Sequence, residues 1–115
     1  MRFCCMRRDH QTILRDAITA GEDIVGMVEG MSEATFVEDL RTQRATERSF
    51  EIIGEALARL SREFPDIAAL IPDHRRVIDF RNMLAHGYDI VDPRLVYTLA
   101  VTRLPALISA LRGAQ

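Results

Sequence analysis

The chain has no lysine and no tryptophan, and it is poor in aromatics, cysteine and long apolar runs. Aromatics make up 6% of its 115 residues, so Leu, Ile, Val, Ala and Met must fill any core. No apolar run approaches the ~20 residues that cross a membrane as a helix. The opening MRFCCMRRDH also lacks the apolar stretch of a signal peptide. A soluble, cytoplasmic protein with no membrane contact is the expectation. Cys4 and Cys5 are adjacent, and two thiols without spaced partners form neither a disulfide framework nor a zinc site. They are read as free thiols in a frayed tail over residues 1–8, with Met6 as plausible a start as Met1.

What is present is globular. Apolar residues at 48% and charged residues at 28% exclude a disordered or fibrous chain. The length suits one domain, residues 1–115, large enough for a core without staples. A formal charge of −2 argues against tight non-specific duplex binding, which requires neutralising many phosphates, but it leaves room for a small local RNA site. All 15 basic residues are arginine. That reflects either codon usage or the use of a planar fork that fits phosphate.

Hydrophobic periodicity predicts helix almost throughout. Ile13, Leu14, Ala17, Ile18, Ile24, Val25, Val28 and Met31 recur at steps of three, four and seven, one stripe of a first helix. Gly30 and residues 32–35 interrupt it, and Thr35 with Glu38 is spaced as a capping box. A long helix is expected from about Val37 to Phe64, with Phe50, Ile53, Ala56, Leu57, Leu60 and Phe64 on one side and an almost wholly polar first half. Pro65 ends it, residues 65–72 connect with room for one short turn, and Pro72 suits the first turn of the next helix. That helix would bury Val77, Ile78, Phe80 or Leu84 and end at Gly87. Asp92 and Pro93 cap and begin a last helix carrying Leu95, Val96, Leu99, Val101, Leu104, Leu107, Ile108 and Leu111, with Pro105 forcing a kink or break. Strand alternation, repeats and linkers are missing. The fold class is therefore all-α, an up-down bundle of four to five antiparallel helices.

Most catalytic signatures are also missing. No glycine-rich phosphate loop or nucleophile elbow is present, and no two of His10, His74 and His86 have the spacing of a helical metal pair, so no metal or cofactor is expected. One segment, residues 74–89, concentrates polar groups at a predicted helix end. Arg81 and His86 are five residues apart, roughly 140° on a straight helix. They converge only if the helix ends between them or a second subunit supplies the other copy. Such a pair suffices in principle for RNA cleavage without a metal. The 2′-hydroxyl is an internal nucleophile, an imidazole can move its proton at neutral pH, and a guanidinium can hold the phosphate and its developing charge. DNA would be spared because it lacks that hydroxyl. The plainer account is a solvated helix end whose histidine caps carbonyls.

The run Arg81-Asn82-Met83-Leu84-Ala85-His86-Gly87-Tyr88 resembles the R-x4-H-x-Y signature of the HepT-like branch of the HEPN superfamily. Residues 48–56 on the long helix, the Ile71-Pro72 entry, Val91-Asp92-Pro93 and Leu104-Pro105 extend the likeness from about Met6 to Leu111. The resemblance implies a HEPN-like helical homodimer and a metal-independent ribonuclease that serves as the toxin of a toxin–antitoxin pair. It implies as partner a minimal nucleotidyltransferase of the MNT type, which inactivates the toxin by adenylylating the motif tyrosine, and leaves open a higher assembly with that antitoxin. By position, Arg81 and His86 would be catalytic, Asn82 a polar member of the motif, and Tyr88 the modified residue. One departure lies outside the motif: Asp73 stands where the family often has Trp after Ile-Pro. A two-fold axis placing two Arg81–His86 sets across one groove would give a composite site. An AMP group on Tyr88 would place a phosphate against the arginines and a base in the groove.

Other residues rank lower. Arg44, Glu47 and Arg48 share a helix face, as a solvated ion-paired stripe or as an RNA-backbone contact. Glu55, beside Gly54 in an apolar stretch, is expected to be partly buried and to need an arginine partner from the motif helix. Arg75 and Arg76 could widen a positive patch, and Met27, Met31 and Met83 read as core or interface filling. Two rival classes remain: a non-catalytic module that binds the nucleotidyltransferase, or RNA without cutting it, and a nucleotide-binding regulator.

Overall fold

The three aspartates that precede helices explain where this chain starts to coil. Asp9 accepts the Thr12 amide at 2.8 Å, Asp39 the Thr42 amide at 3.0 Å, and Asp92 the Arg94 amide at 3.0 Å. Each satisfies a donor that the first helical turn leaves open. Those backbone N–H groups hold all three carboxyls below the usual carboxylate range.

A computed structural model describes residues 9–86 and 91–115. Among the described residues there are seven helices and no strand: α1 (His10–Val28), α2 (Glu33–Val37), α3 (Leu40–Glu63), α4 (Pro65–Ala68), α5 (His74–His86), α6 (Pro93–Thr102) and α7 (Leu104–Gly113). Two of these, α2 and α4, are pieces of about one turn, so the longer helices match the expected all-α bundle. The tail expected over residues 1–8, with Cys4 and Cys5, lies outside the described residues, as do Gly87 and Tyr88.

Helix α3 is the spine. It packs against α1 on one side and α5 on another, and α6 and α7 close over α1. Ile13, Leu14, Ile24, Ile53, Leu57, Leu60, Val96, Leu104 and Leu111 are all but inaccessible and form the core. The stripes read from periodicity are thus largely buried. Val25, Leu95 and Val101 are exceptions, at 42%, 43% and 42% exposure, because they lie at the margins of their stripes. The Tyr97 hydroxyl donates to the Met31 carbonyl at 2.7 Å, and an Arg112–Glu22 ion pair ties α7 to α1.

Several boundaries differ from expectation for local reasons. Gly30, at φ 78°, turns the chain out of α1. The capping box is Ser32 with Thr35, not Thr35 with Glu38: the Thr35 amide donates to Ser32 Oγ at 3.1 Å and the Ser32 amide to Thr35 Oγ1 at 2.9 Å. The long helix starts at Leu40 because Asp39 caps it, and its polar first half buries Gln43, which donates to the Phe36 and Val37 carbonyls at 2.9 Å each. Thr46 is wholly buried in the same stretch with its hydroxyl unpartnered. Pro72 lies outside α5, which starts two residues later after Asp73, a non-glycine at φ 62°. Pro105 produces a break: α6 ends at Thr102, and α7 starts at Leu104 with the proline in its first turn, the two axes bent by 47°. No single described helix is long and apolar enough to cross a membrane.

Candidate active site

Helix α5 carries the motif and stays helical through His86. At about 100° per residue, its positions divide into two faces. Val77, Phe80, Arg81 and Leu84 point one way, and Arg75, Asp79, Asn82 and His86 the other. The first face rests on α3. Phe80 meets Phe50 edge-on, with ring centroids 5.4 Å apart at 86°. No residue of α5 is fully buried; Val77, Ile78, Phe80 and Leu84 are half-buried, and Met83 is 45% exposed.

Arg81 crosses α3 at Gly54. A Cβ built on Gly54 would lie 2.2 Å from Arg81 Cβ and 2.6 Å from its Cγ, so any side chain there would displace the arginine stem. Glycine in a helix interior is unfavourable by about 1 kcal/mol, and here it permits that close approach. Beyond the notch, Arg81 Nη2 lies 3.6 Å from Glu55 Oε2, and Nη1 donates to Asn82 Oδ1 at 2.9 Å. Asn82 sits on the His86 face, so this bond draws the guanidinium tip around the helix.

The structure therefore brings together Arg81, Asn82 and Glu55, and the expected arginine partner of Glu55 is Arg81. The expected burial of Glu55 is not found: its side chain is 47% exposed, because α5 covers only one edge of this part of α3. Arg48 Nη1 reaches Glu55 Oε1 at 3.6 Å and Glu51 at 3.3 Å, and Arg44 pairs with Glu47 at 3.2 Å. Arg48 is thus linked through Glu55 to Arg81, while Arg44 and Glu47 form a separate pair one turn earlier on α3. Arg75 and Arg76 are exposed and lie off the Arg81 face; Arg76 Nε is 4.0 Å from Asp73. His86 is exposed at the last position of α5. The helix does not end between Arg81 and His86, so that route to convergence within one chain is closed. The other histidines have local partners: His74 contacts the Ile71 carbonyl at 3.1 Å, and His10 packs on Phe64.

Two hollows flank α5. A polar cleft of about 430 Å³ holds Arg81 and Glu55 with Arg59, Arg62 and Asp16. An apolar groove of about 260 Å³ runs between α5 and the α6–α7 elbow, lined by Phe50, Val77, Phe80, Leu99 and Leu107, with Arg76, Arg103 and Asp73 on its rim. Arg59 and Arg62 were missed by sequence reasoning, though with Arg48 and Glu55 they continue one stripe at steps of three, four and seven. Gly54 carried a signal as well, since an isolated glycine inside a helical pattern often marks a close approach. Among the described residues no three His, Cys, Asp or Glu side chains gather to hold a metal ion.

The motif helix thus anchors Arg81 beside a polar cleft and carries His86 at its C-terminal end. The family model described as "Ribonuclease HepT-like" matches residues 17–113. The protein named "Probable ribonuclease HepT" from Thermococcus cleftensis is 32% identical over 89% of this chain and 92% of its own length. A candidate RNase of Caldanaerobacter subterraneus is 34% identical over 75% of this chain and 76% of its own, and one of Methanocaldococcus jannaschii 26% over 86% and 81%. No solved structure matches the chain significantly. The chain belongs to the HepT-like ribonuclease family.

Proposed function

We propose that this ribonuclease is a metal-independent RNA endonuclease, the cytoplasmic toxin of a toxin–antitoxin pair, active as a homodimer. His86 is the general acid/base: it takes the proton of the 2′-hydroxyl as that oxygen attacks phosphorus and returns a proton to the leaving 5′-oxygen. Arg81 holds the phosphate and its developing charge, with Asn82 fixing the guanidinium tip. Arg44, Arg48, Arg75 and Arg76 are candidate contacts to the strand. The partner is a nucleotidyltransferase of the MNT type, and Tyr88, outside the described residues, is the residue it adenylylates.

The observation that carries this reading is the continuity of α5 through His86, which leaves Arg81 and His86 on different faces of one helix. A two-fold axis resolves the separation. If Arg81 of each copy faces His86 of the other, symmetry puts the crossing point of two antiparallel α5 helices midway, between Met83 and Leu84. The side of α5 between the two directions carries Ile78, Asn82 and Ala85, and the exposed Ala85 is small enough to let two helices approach there.

Purified protein is expected to cleave RNA in EDTA, with His86→Ala and Arg81→Ala each slowing cleavage by about 10²–10⁴. Mixing the two dead variants at equal amounts is expected to restore about a quarter of wild-type activity, since half the dimers are mixed and each carries one complete site. A mixture as dead as its components would mean each site uses one chain's own pair. RNA bound but never cut by wild type would favour the non-catalytic module. Co-expression with a nucleotidyltransferase of the MNT type is expected to add AMP mass to the Tyr88 peptide.

A further inference from the structure

The Glu55 carboxylate lies between two guanidinium groups that approach it from different helices. Arg48 of α3 reaches Oε1 at 3.6 Å, and Arg81 of α5 reaches Oε2 at 3.6 Å. Each arginine has a second, separate anchor: Arg48 has Glu51 at 3.3 Å, and Arg81 has the Asn82 amide oxygen at 2.9 Å. The fork would therefore keep its shape if Glu55 swung away. A carboxylate and the two non-bridging oxygens of a phosphodiester present the same pattern to such a fork, one negative charge shared over two oxygens. The Glu55 side chain is 47% exposed and the Arg48 side chain 63% exposed, so solvent and a strand both reach the position.

We propose that Glu55 is an internal stand-in for a substrate phosphate: it fills the Arg48–Arg81 fork in the RNA-free protein and is displaced by a backbone phosphate of the bound strand. This rests on the ribonuclease reading of Arg81 and places Arg48, already a candidate strand contact, on the same phosphate as Arg81. Glu55 then acts on affinity, through competition. It does not take part in the proton transfers.

The competition sets the size of the effect. Both Glu55 ion pairs are exposed and therefore weak, so removing the competing charge should tighten binding only about three- to tenfold. Glu55→Gln keeps the size of the side chain and removes its charge. Its binding to a 2′-O-methyl RNA, which cannot be cut, is expected to tighten by that factor, with kcat unchanged and KM lowered. Adding Arg48→Ala should erase the gain. Glu22→Gln, which removes one negative charge on the far side at α1, should leave affinity near wild type. Inorganic pyrophosphate, titrated while watching the arginine Nε–H signals of Arg48 and Arg81, tests the fork without RNA. Tighter pyrophosphate binding in Glu55→Gln by a protein that never cleaves RNA upholds the fork and sinks the ribonuclease reading. Cleavage that depends on His86, with Glu55→Gln binding both probes no better than wild type, overturns the fork. A drop in kcat at unchanged affinity also overturns it, because it would make Glu55 a positioning residue for Arg81. A matching thermal melt guards against loss of fold.

Discussion

The two hollows beside α5 are built by the same helix and differ in almost everything else. On one side Phe80 meets Phe50 in an apolar groove closed by the α6–α7 elbow; on the other, one residue along, Arg81 crosses Gly54 into a cleft of guanidinium and carboxylate groups. A turn of about 100° per residue is enough to send neighbouring side chains to opposite flanks. The consequence is a division of labour. The apolar flank ties α5 to the core, and the polar flank holds the candidate chemistry, so each can be damaged while the other is left working.

The largest expected effect falls on the apolar flank. Phe50 is 5% exposed, and Phe50→Ala should cost about 3–5 kcal/mol, a fall in Tm of roughly 10–25 °C, while each molecule still folded cleaves at its normal rate. Melting curves and assays well below the new Tm would check both halves. Gly54→Ala attacks the other flank. Its Cβ would gain helix propensity but collide with the Arg81 stem, for a net cost of about 1–3 kcal/mol and a loss of activity of about 10–100-fold that stability does not explain. If its activity followed its stability alone, the division between flanks would fail. The smallest change is Asp73→Gly on the groove rim. It relieves a left-handed backbone at φ 62° and should add up to about 1 kcal/mol in denaturant melts with cleavage unchanged.

Sequence reached the polar flank only in part, and particular residues show why. The stripes of α1 and α3 were legible because burial follows helical period, as were the Asp92-Pro93 start and the Pro105 break, which depend on local chemistry. The Ser32 cap was misassigned because Ser32–Thr35 and Thr35–Glu38 share the same three-residue spacing, and only the path of the chain decides between them. Gln43 looked like solvated surface, yet it is buried to satisfy two carbonyls at the end of α2, a long-range requirement no local pattern encodes. For Glu55 the partner was foreseeable from charge and the burial was not, since exposure depends on how far α5 covers α3. Arg81 and His86 stood out by their spacing and by the motif they share. Their separation depended on whether α5 continues past Arg81, and a helix that runs to the histidine itself answers that.

An unbroken α5 also has a bearing on dosage. On the proposed reading a solitary molecule is inert, since its guanidinium and imidazole serve different surfaces, and only an encounter between two copies arms them. At levels below the dissociation constant of the dimer, output would then rise with the square of abundance, so halving synthesis would quarter the harm. A cell could hold traces of such a protein safely and be overtaken only when supply surges.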